Sequence, residues 1–225
     1  PSPSMGEGRE RVKDPGENDS PRTFETGAGG PPLPENRGGL TVLDAGCGAG
    51  GMLLTLDRLG CAAGIDFSPL ALGLSRQRGL KRIAQASVTG LPFRDGAFNL
   101  VTSFDVLYHL NVADDRDALR EFHRVLRPGG LVLLRLPAFE WLRSSHDAMV
   151  HTRHRYTAGE LRGKLEQAGF EIVRLTYANT LLFPLAAASR LWQRLRGHAA
   201  AAESDVRPAS PLVAGALHLL LRAEA

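Results

Sequence analysis

The sequence predicts an α/β fold: a doubly wound, mostly parallel sheet with helices on both faces. Three observations predict it. An apolar run (Leu40, Val42, Leu43) leads into glycines at Gly46, Gly48 and Gly50, and a leucine-rich stretch follows (Met52, Leu53, Leu54, Leu56, Leu59). Strand, glycine turn and helix is the unit by which open α/β sheets bring backbone close to a ligand. From there to Leu175, short apolar runs alternate with amphipathic stretches, as in a parallel sheet with crossover helices. Capping and stop residues also fall where that alternation needs them.

In chain order, the first strand begins at Leu40. A second, Cys61 to Ile65, ends at Asp66. Ser68-Pro69 supplies an N-cap and a proline for the first helical position, opening a helix to about Arg78. A short third strand is expected near Ile83, and FNLVTSF (Phe98 to Phe104) reads as the fourth. Asp114 to Leu126 is amphipathic, with Leu119, Phe122, Val125 and Leu126 on one face and acids at its start. Pro128-Gly129-Gly130 should stop it, leaving LVLLRL (Leu131 to Leu136) as the fifth strand. Thr157 to Glu160 spells a capping box for a helix with Leu161, Leu165 and Ala168 on one face, closed by Gly169. Phe170 to Leu175 is expected to be the sixth strand. Two helices, Leu181 to Leu195 and Leu212 to Arg222, should follow, joined by a Pro/Ala/Ser/Asp-rich linker.

The segment 1–38 is rich in Pro, Gly, Glu and Ser and has few apolar residues. It cannot bury enough surface to offset the entropy of ordering, so disorder is expected there. The division is therefore 1–38, a ligand-binding domain over 39–178 and a helical extension over 179–225. The chain has 225 residues, 43% of them hydrophobic and 23% charged, which suits one domain with a sizeable core. Its net charge of +3 is spread along the chain without a Lys/Arg block, so no nucleic-acid partner is expected. Cys47 and Cys61 fit neither a disulfide framework nor a metal-ligand spacing. They read as reduced thiols of a cytoplasmic protein, and neither a membrane span nor a signal peptide is apparent.

The glycine turn suits a bound ligand, the alternative being an ordinary strand-turn-helix, and two acids favour an adenosyl ligand. Asp66 lies twenty positions after Gly46, where a ribose would need an acceptor for its hydroxyls. Gly46, Gly48 and Gly51 also satisfy a dinucleotide spacing, so Asp66 supports an adenosine without choosing the cofactor. Asp44 tilts the choice. A carboxylate at the strand tip suits a ligand carrying an ammonium group and is poorly placed beside a pyrophosphate.

Four blocks in order resemble the class I S-adenosylmethionine-dependent methyltransferases of the small-molecule branch. They are VLDAGCGAGG (Val42 to Gly51), GIDFSPLAL (Gly64 to Leu72), LPFRDGAFNLVTSFDVLYHL (Leu91 to Leu110) and EFHRVLRPGGLVLLRLP (Glu121 to Pro137). The stretch from Pro137 to Pro184, with its PAFEWLRSSHD and HTRHRYT segments, resembles a bacterial subgroup of that family. The resemblance implies a Rossmann-like sheet and S-adenosylmethionine as cofactor. It implies that Asp44, Gly46, Gly48 and Gly50 line the methionine and ribose end and that Asp66 accepts from the ribose. Phe67 would pack on the adenine, with Ser87 and Val88 at its edge and Phe104 near the methyl donor. Ser87 departs from the Asp usual there and is the weaker acceptor. The family's antiparallel seventh strand, inserted between strands five and six, is not apparent, nor is a helix before Leu40 that would cover the cofactor. On that comparison the chain reads as a fragment, or as pieces joined.

Methyl transfer from a sulfonium needs alignment, and a base only when the acceptor is a hydroxyl or a protonated amine. His109, just after strand four, is the expected catalytic residue, with Tyr108 beside it. His146, Asp147, His151, Arg153 and Tyr156, in the loop after strand five, are expected to bind the acceptor. They are not read as a metal site, because His and Asp adjacent in sequence rarely converge on one ion. A small-molecule methyltransferase leads, ahead of a nicotinamide-dependent oxidoreductase and a non-catalytic S-adenosylmethionine-binding protein. The C-terminal helices are more apolar than surface helices need. Either they complete the core at the sheet edge, or they serve a lipid-linked acceptor, a partner or a membrane surface with Arg190, Arg194 and Arg196 toward headgroups.

Overall fold

A computed structural model of the chain describes residues 39–195, together with Gly215 and Arg222. The N-terminal segment 1–38, and the linker and second C-terminal helix apart from those two residues, lie outside the described residues. Five strands form one sheet: β1 (Leu40–Ala45), β2 (Gly60–Asp66), β3 (Ile83–Gln85), β4 (Phe98–Phe104) and β5 (Leu126–Arg135). They are ordered β3-β2-β1-β4-β5, and every pairing is parallel. The order reverses between β1 and β4, which opens a crevice at their carboxyl ends.

The period-2 alternation of the strands sorts the core into two layers. On one face Val42 and Ala62 pack with Leu53 and Leu56 of α1 (Gly51–Leu56) and Leu72 of α2 (Pro69–Gln77). On the other, Leu43, Ala45, Ile65 and Val101 pack with Leu119 and Phe122 of α3 (Asp115–Val125) and Leu165 of α5 (Ala158–Gln167). Leu43, Ile65, Val101 and Phe122 are fully buried, each contributing about 1.5–3 kcal/mol relative to an exposed side chain. The caps form as the sequence leads one to expect. Ser68 Oγ accepts from Ala71 N at 3.2 Å, Asp114 Oδ1 from Arg116 N at 2.8 Å and Thr157 Oγ1 from Glu160 N at 3.3 Å; the reciprocal half of the expected Thr157–Glu160 capping box does not form, because the Glu160 carboxylate meets His154 Nε2 and Lys164 Nζ instead.

Two strand expectations are corrected. The fifth strand starts at Leu126, immediately after α3, because Leu126 pairs with Phe98 before the register shifts and resumes at Leu131 opposite Leu100. Pro128-Gly129-Gly130 lies within this irregularity rather than ahead of the strand, with Gly129 at φ 74°. The sixth strand, Phe170 to Leu175, does not form: Phe170 and Ile172 pack against the core, but the segment has no strand assignment. A strand exists only by pairing. Among the described residues nothing lies hydrogen-bonded between β5 and this segment, so β5 is the sheet edge, with Leu131 and Leu133 exposed. After β5 come a 3-10 turn (Glu140–Leu142), α4 (Ser145–Met149), α5 and α6 (Phe183–Leu195). Among the described residues no helix is long and apolar enough to cross a membrane.

Candidate cofactor and acceptor site

The turn after β1 is built from its glycines. At φ 89°, Gly46 leaves no room for a side chain, since a Cβ would come 2.2 Å from Val106 Cγ2. Gly48, also at positive φ (54°), differs: a Cβ there would meet nothing within 4 Å, so its missing side chain leaves open space beside the cavity. Gly50 is a packing position, its Cβ site being 2.1 Å from Leu80 Cδ1. Four contacts tie the turn down. Gly46 N and Cys47 N both donate to Ile65 O at 2.8 Å, Ser75 Oγ donates to Gly48 O at 2.9 Å, and Arg78 Nη1 donates to Ala49 O at 2.9 Å.

Asp66, at the tip of β2, spans the crevice. Its Oδ2 accepts from Gly48 N at 2.7 Å and its Oδ1 from Ser68 N at 2.8 Å. A carboxylate has about four acceptor positions, so roughly two remain for a ligand. The acid therefore both shapes the turn and faces the cavity. That cavity, about 320 Å³, is lined by Gly46, Gly48, Asp66, Phe67, Ser87, Val88, Phe104 and His109, among others, within the ~300–1,000 Å³ of small-molecule sites. Phe67 is half exposed there. Ser87 Oγ is engaged with Thr89 Oγ1 at 2.8 Å. Asp105, Asn111 and Val112 also line the wall and were not among the residues singled out from sequence, although Asp105 directly follows the tip of β4.

Asp44 and Gly50 are not in the cavity lining. Asp44 is nevertheless the most telling charge near it. It is buried, with Oδ1 accepting from Thr102 Oγ1 at 2.9 Å, while Oδ2 is buried without a hydrogen-bond partner among the described residues. Burial, with a smaller push from the Asp66 charge, raises its pKa to about 6 against the opposing Thr102 bond. Burial also pushes the neighbouring Cys47 thiol up to about 12, so the turn offers no thiolate at neutral pH.

The loop after β5 is divided in its roles. Asp147 is buried and takes a fork of bonds from Arg155, Nε to Oδ1 at 2.7 Å and Nη2 to Oδ2 at 3.0 Å, plus Ser144 N at 2.7 Å. Burial raises its pKa, but these donors outweigh it and hold the carboxyl below its ordinary value. Tyr156 is buried and donates to Asp115 Oδ2 at 2.6 Å, an oxygen that also receives Lys164 Nζ at 2.6 Å. Arg153 Nη1 donates to Ala113 O at 2.7 Å. Arg153 and Tyr156 thus hold the loop to the domain, Asp147 braces it from within, and His146 is exposed on α4. None of these four lines the cavity.

His151 does not line the cavity either, but it is brought beside His109, which does. A bridge between His109 and Thr152, with Leu110 N donating to His151 O at 3.0 Å and Arg153 N to Tyr108 O at 2.7 Å, pins the loop to the turn after β4. The two imidazoles lie 5.5 Å apart between centroids. His151 is exposed and keeps φ 54°, a conformation uncommon for a residue with a side chain. His109 Nδ1 accepts from Asn111 N at 3.1 Å, so the neutral ring carries its proton on Nε2. Burial and the His151 charge lower the His109 pKa, with Asp66 opposing, which favours that neutral ring.

An open parallel sheet with a glycine turn and a cavity at its switch point defines a ligand-binding α/β protein. Residues 43–134 match the methyltransferase domain family. A probable S-adenosylmethionine-dependent methyltransferase of Mycolicibacterium smegmatis is 34% identical over 60% of this chain and 53% of that protein. An uncharacterized methyltransferase of Synechocystis is 33% identical over 60% of this chain and 69% of that protein. The crystal structure of an S-adenosylmethionine-dependent methyltransferase from Mesorhizobium loti superposes with TM-score 0.56 over 70% of this chain and 88% of that one, at 21% identity. A probable tRNA methyltransferase 9B of mouse is 32% identical over 48% of this chain and 24% of that protein. This chain belongs to the class I S-adenosylmethionine-dependent methyltransferases. It spans between 43% and 57% of the length of four of its curated relatives.

The residues present fit S-adenosylmethionine. The buried acceptor Asp44 Oδ2 suits an ammonium group, the open space at Gly48 admits a ligand against bare backbone, and Asp66 and Phe67 present a carboxylate and a half-exposed ring to the cavity.

Proposed function

We propose that this chain transfers a methyl group from S-adenosylmethionine to a small-molecule acceptor held between the cavity and the His109–His151 pair. The observation that carries the reading is Asp66, whose carboxylate fastens the Gly48 turn while facing the cavity. Asp44 would hold the methionine ammonium, Asp66 the ribose hydroxyls, Phe67 the adenine face and Ser87 with Val88 its edge; Phe104 would flank the methyl donor. When bound, the cofactor supplies an electrophilic methyl on a sulfonium. What remains for the protein is to align the nucleophile and, for a hydroxyl acceptor, to take its proton. With Nδ1 occupied by Asn111 N, His109 acts as an Nε2–H donor that orients the acceptor. The exposed His151 is then the imidazole that takes the proton.

A small-molecule acceptor is favoured over RNA because the net charge of +3 comes without a basic block. Two measurements test the reading. Calorimetric titration should show binding of S-adenosylmethionine and S-adenosylhomocysteine but not NAD; the opposite selectivity would return the oxidoreductase alternative. Release of S-adenosylhomocysteine should then be seen with a small-molecule acceptor panel. Release with tRNA alone would overturn the acceptor assignment, and binding without release on any acceptor would favour a non-catalytic binding protein.

A further inference from the structure

We propose that the methyl acceptor is an amine and that Asp105 is the residue that selects it. The inference rests on the small-molecule reading above and narrows it. The cavity has two walls. Asp66 and Phe67, at the end of β2, and Ser87 and Val88, after β3, form the wall assigned above to the adenosyl group. The other is the turn after β4, which supplies Asp105, Val106, His109, Asn111 and Val112. Its ionisable residues are Asp105 and the neutral His109, so the charge it presents to the cavity is a carboxylate. Asp105 is held in place for such a role. Its backbone leaves the sheet at φ 60°, a conformation that Asp and Asn tolerate better than most side chains, and its N–H donates to Arg135 O at 3.0 Å. Arg135 donates to Asp105 Oδ2 from Nε, at 3.0 Å, and from Nη2, with its guanidinium carbon 5.5 Å from the centre of the Phe104 ring. Both bonds fall on one oxygen. Among the described residues Oδ1 takes no hydrogen bond and is left for a ligand. Arg135 itself is exposed and outside the cavity lining, so water screens its charge, and an ion pair this exposed adds little to stability.

Charge development decides the acceptor class. A neutral amine becomes cationic as it attacks. Its lone pair forms the N–C bond, the electron pair of the S–C bond returns to sulfur, and the products are S-adenosylhomocysteine and a methylammonium ion. Positive charge thus moves from sulfur onto a nitrogen beside Asp105. A carboxylate fixed there interacts more strongly with the transition state than with the neutral amine. An amine that arrives as an ammonium ion pairs with Asp105 and first gives up one proton to the exposed His151. Alcohols, carboxylic acids and carbon acids react as anions or on the way to them, and the same carboxylate opposes that charge. Val106 and Val112 on this wall suit an amine with an apolar body.

The experiment measures S-adenosylhomocysteine release by the full chain with matched amines, alcohols and carboxylates built on benzyl, phenethyl and hexyl skeletons. Release is expected with amines and not with their alcohol or carboxylate counterparts. Asp105→Asn keeps the side-chain shape and tolerates the same φ. It should lower kcat/KM for the amines roughly tenfold or more while S-adenosylmethionine affinity, read by calorimetry, stays within about threefold of wild type. Release with alcohols or carboxylates at least as fast as with the matched amines overturns the inference and leaves the small-molecule reading standing. Wild-type turnover of amines by Asp105→Asn also overturns it, as does a parallel loss of cofactor affinity, which would assign the carboxylate to the sulfonium. No release from any series with S-adenosylmethionine bound overturns it together with the acceptor assignment. Absence of cofactor binding overturns the cofactor reading and this inference with it.

Discussion

Replacing Asp66 with alanine should separate two effects that one carboxylate combines. In the folded chain its oxygens accept from Gly48 N at 2.7 Å and Ser68 N at 2.8 Å. Both donors lie near the surface and can turn to water, so losing these bonds should cost about 1–3 kcal/mol in all. For a chain of this size that is a fall in Tm of roughly 2–10 °C. The cofactor loses more. Two charge-assisted bonds to ribose, at about 1.5–3 kcal/mol each, correspond to a loss of roughly a hundredfold to ten-thousandfold in affinity, before any loosening of the Gly48 turn. Calorimetric titration of S-adenosylmethionine reads the second effect and a thermal melt the first. Asp66→Asn, which keeps one acceptor oxygen but no charge, should fall between wild type and alanine on both scales. An Asp66→Ala protein that melts several degrees lower yet binds the cofactor within about threefold of wild type would refute the reasoning, leaving Asp66 as a turn-former alone.

Three further outcomes are expected. Asp44 has a folded pKa raised to about 6 from 3.8, so the folded state holds the proton more tightly than the unfolded one. Ligand-free stability should therefore fall as pH rises from about 4 through 6, by up to about 3 kcal/mol. S-adenosylmethionine affinity should rise over the same range, and Asp44→Asn should flatten both curves, raising the neutral-pH Tm while weakening the cofactor. His109→Gln, which retains an N–H donor, should keep a substantial part of S-adenosylhomocysteine release, whereas His109→Ala should lose it and His151→Gln should slow release with a hydroxyl acceptor; equal losses in the two His109 variants would show the imidazole itself to be required. Tyr156→Phe removes the bond to Asp115 Oδ2 and should lower stability by about 1–3 kcal/mol, read as Tm, while cofactor affinity changes little.

The local features of this protein are legible in its sequence because local rules produce them. Positive φ at Gly46 and Gly48, a proline after Ser68 and acids at the start of α3 each need only their neighbours. The alternation that sorts Val42 from Leu43 onto opposite faces is likewise written in consecutive residues. Asp44 and Asp66 stood out for a related reason, since both lie toward the ends of recognisable strands, and of the two only Asp66 lines the cavity. Partnership between distant residues was left to the tertiary structure. Phe170 to Leu175 has the composition of a strand, but β5 offers it no adjacent ladder, and strand identity belongs to the pair. In the same way, His146, Asp147, His151, Arg153 and Tyr156 look alike as polar residues of one loop. Folding commits Asp147 to Arg155 and Tyr156 to Asp115 and brings His151 beside His109, because a buried charge or hydroxyl must find its partner wherever the chain has placed one.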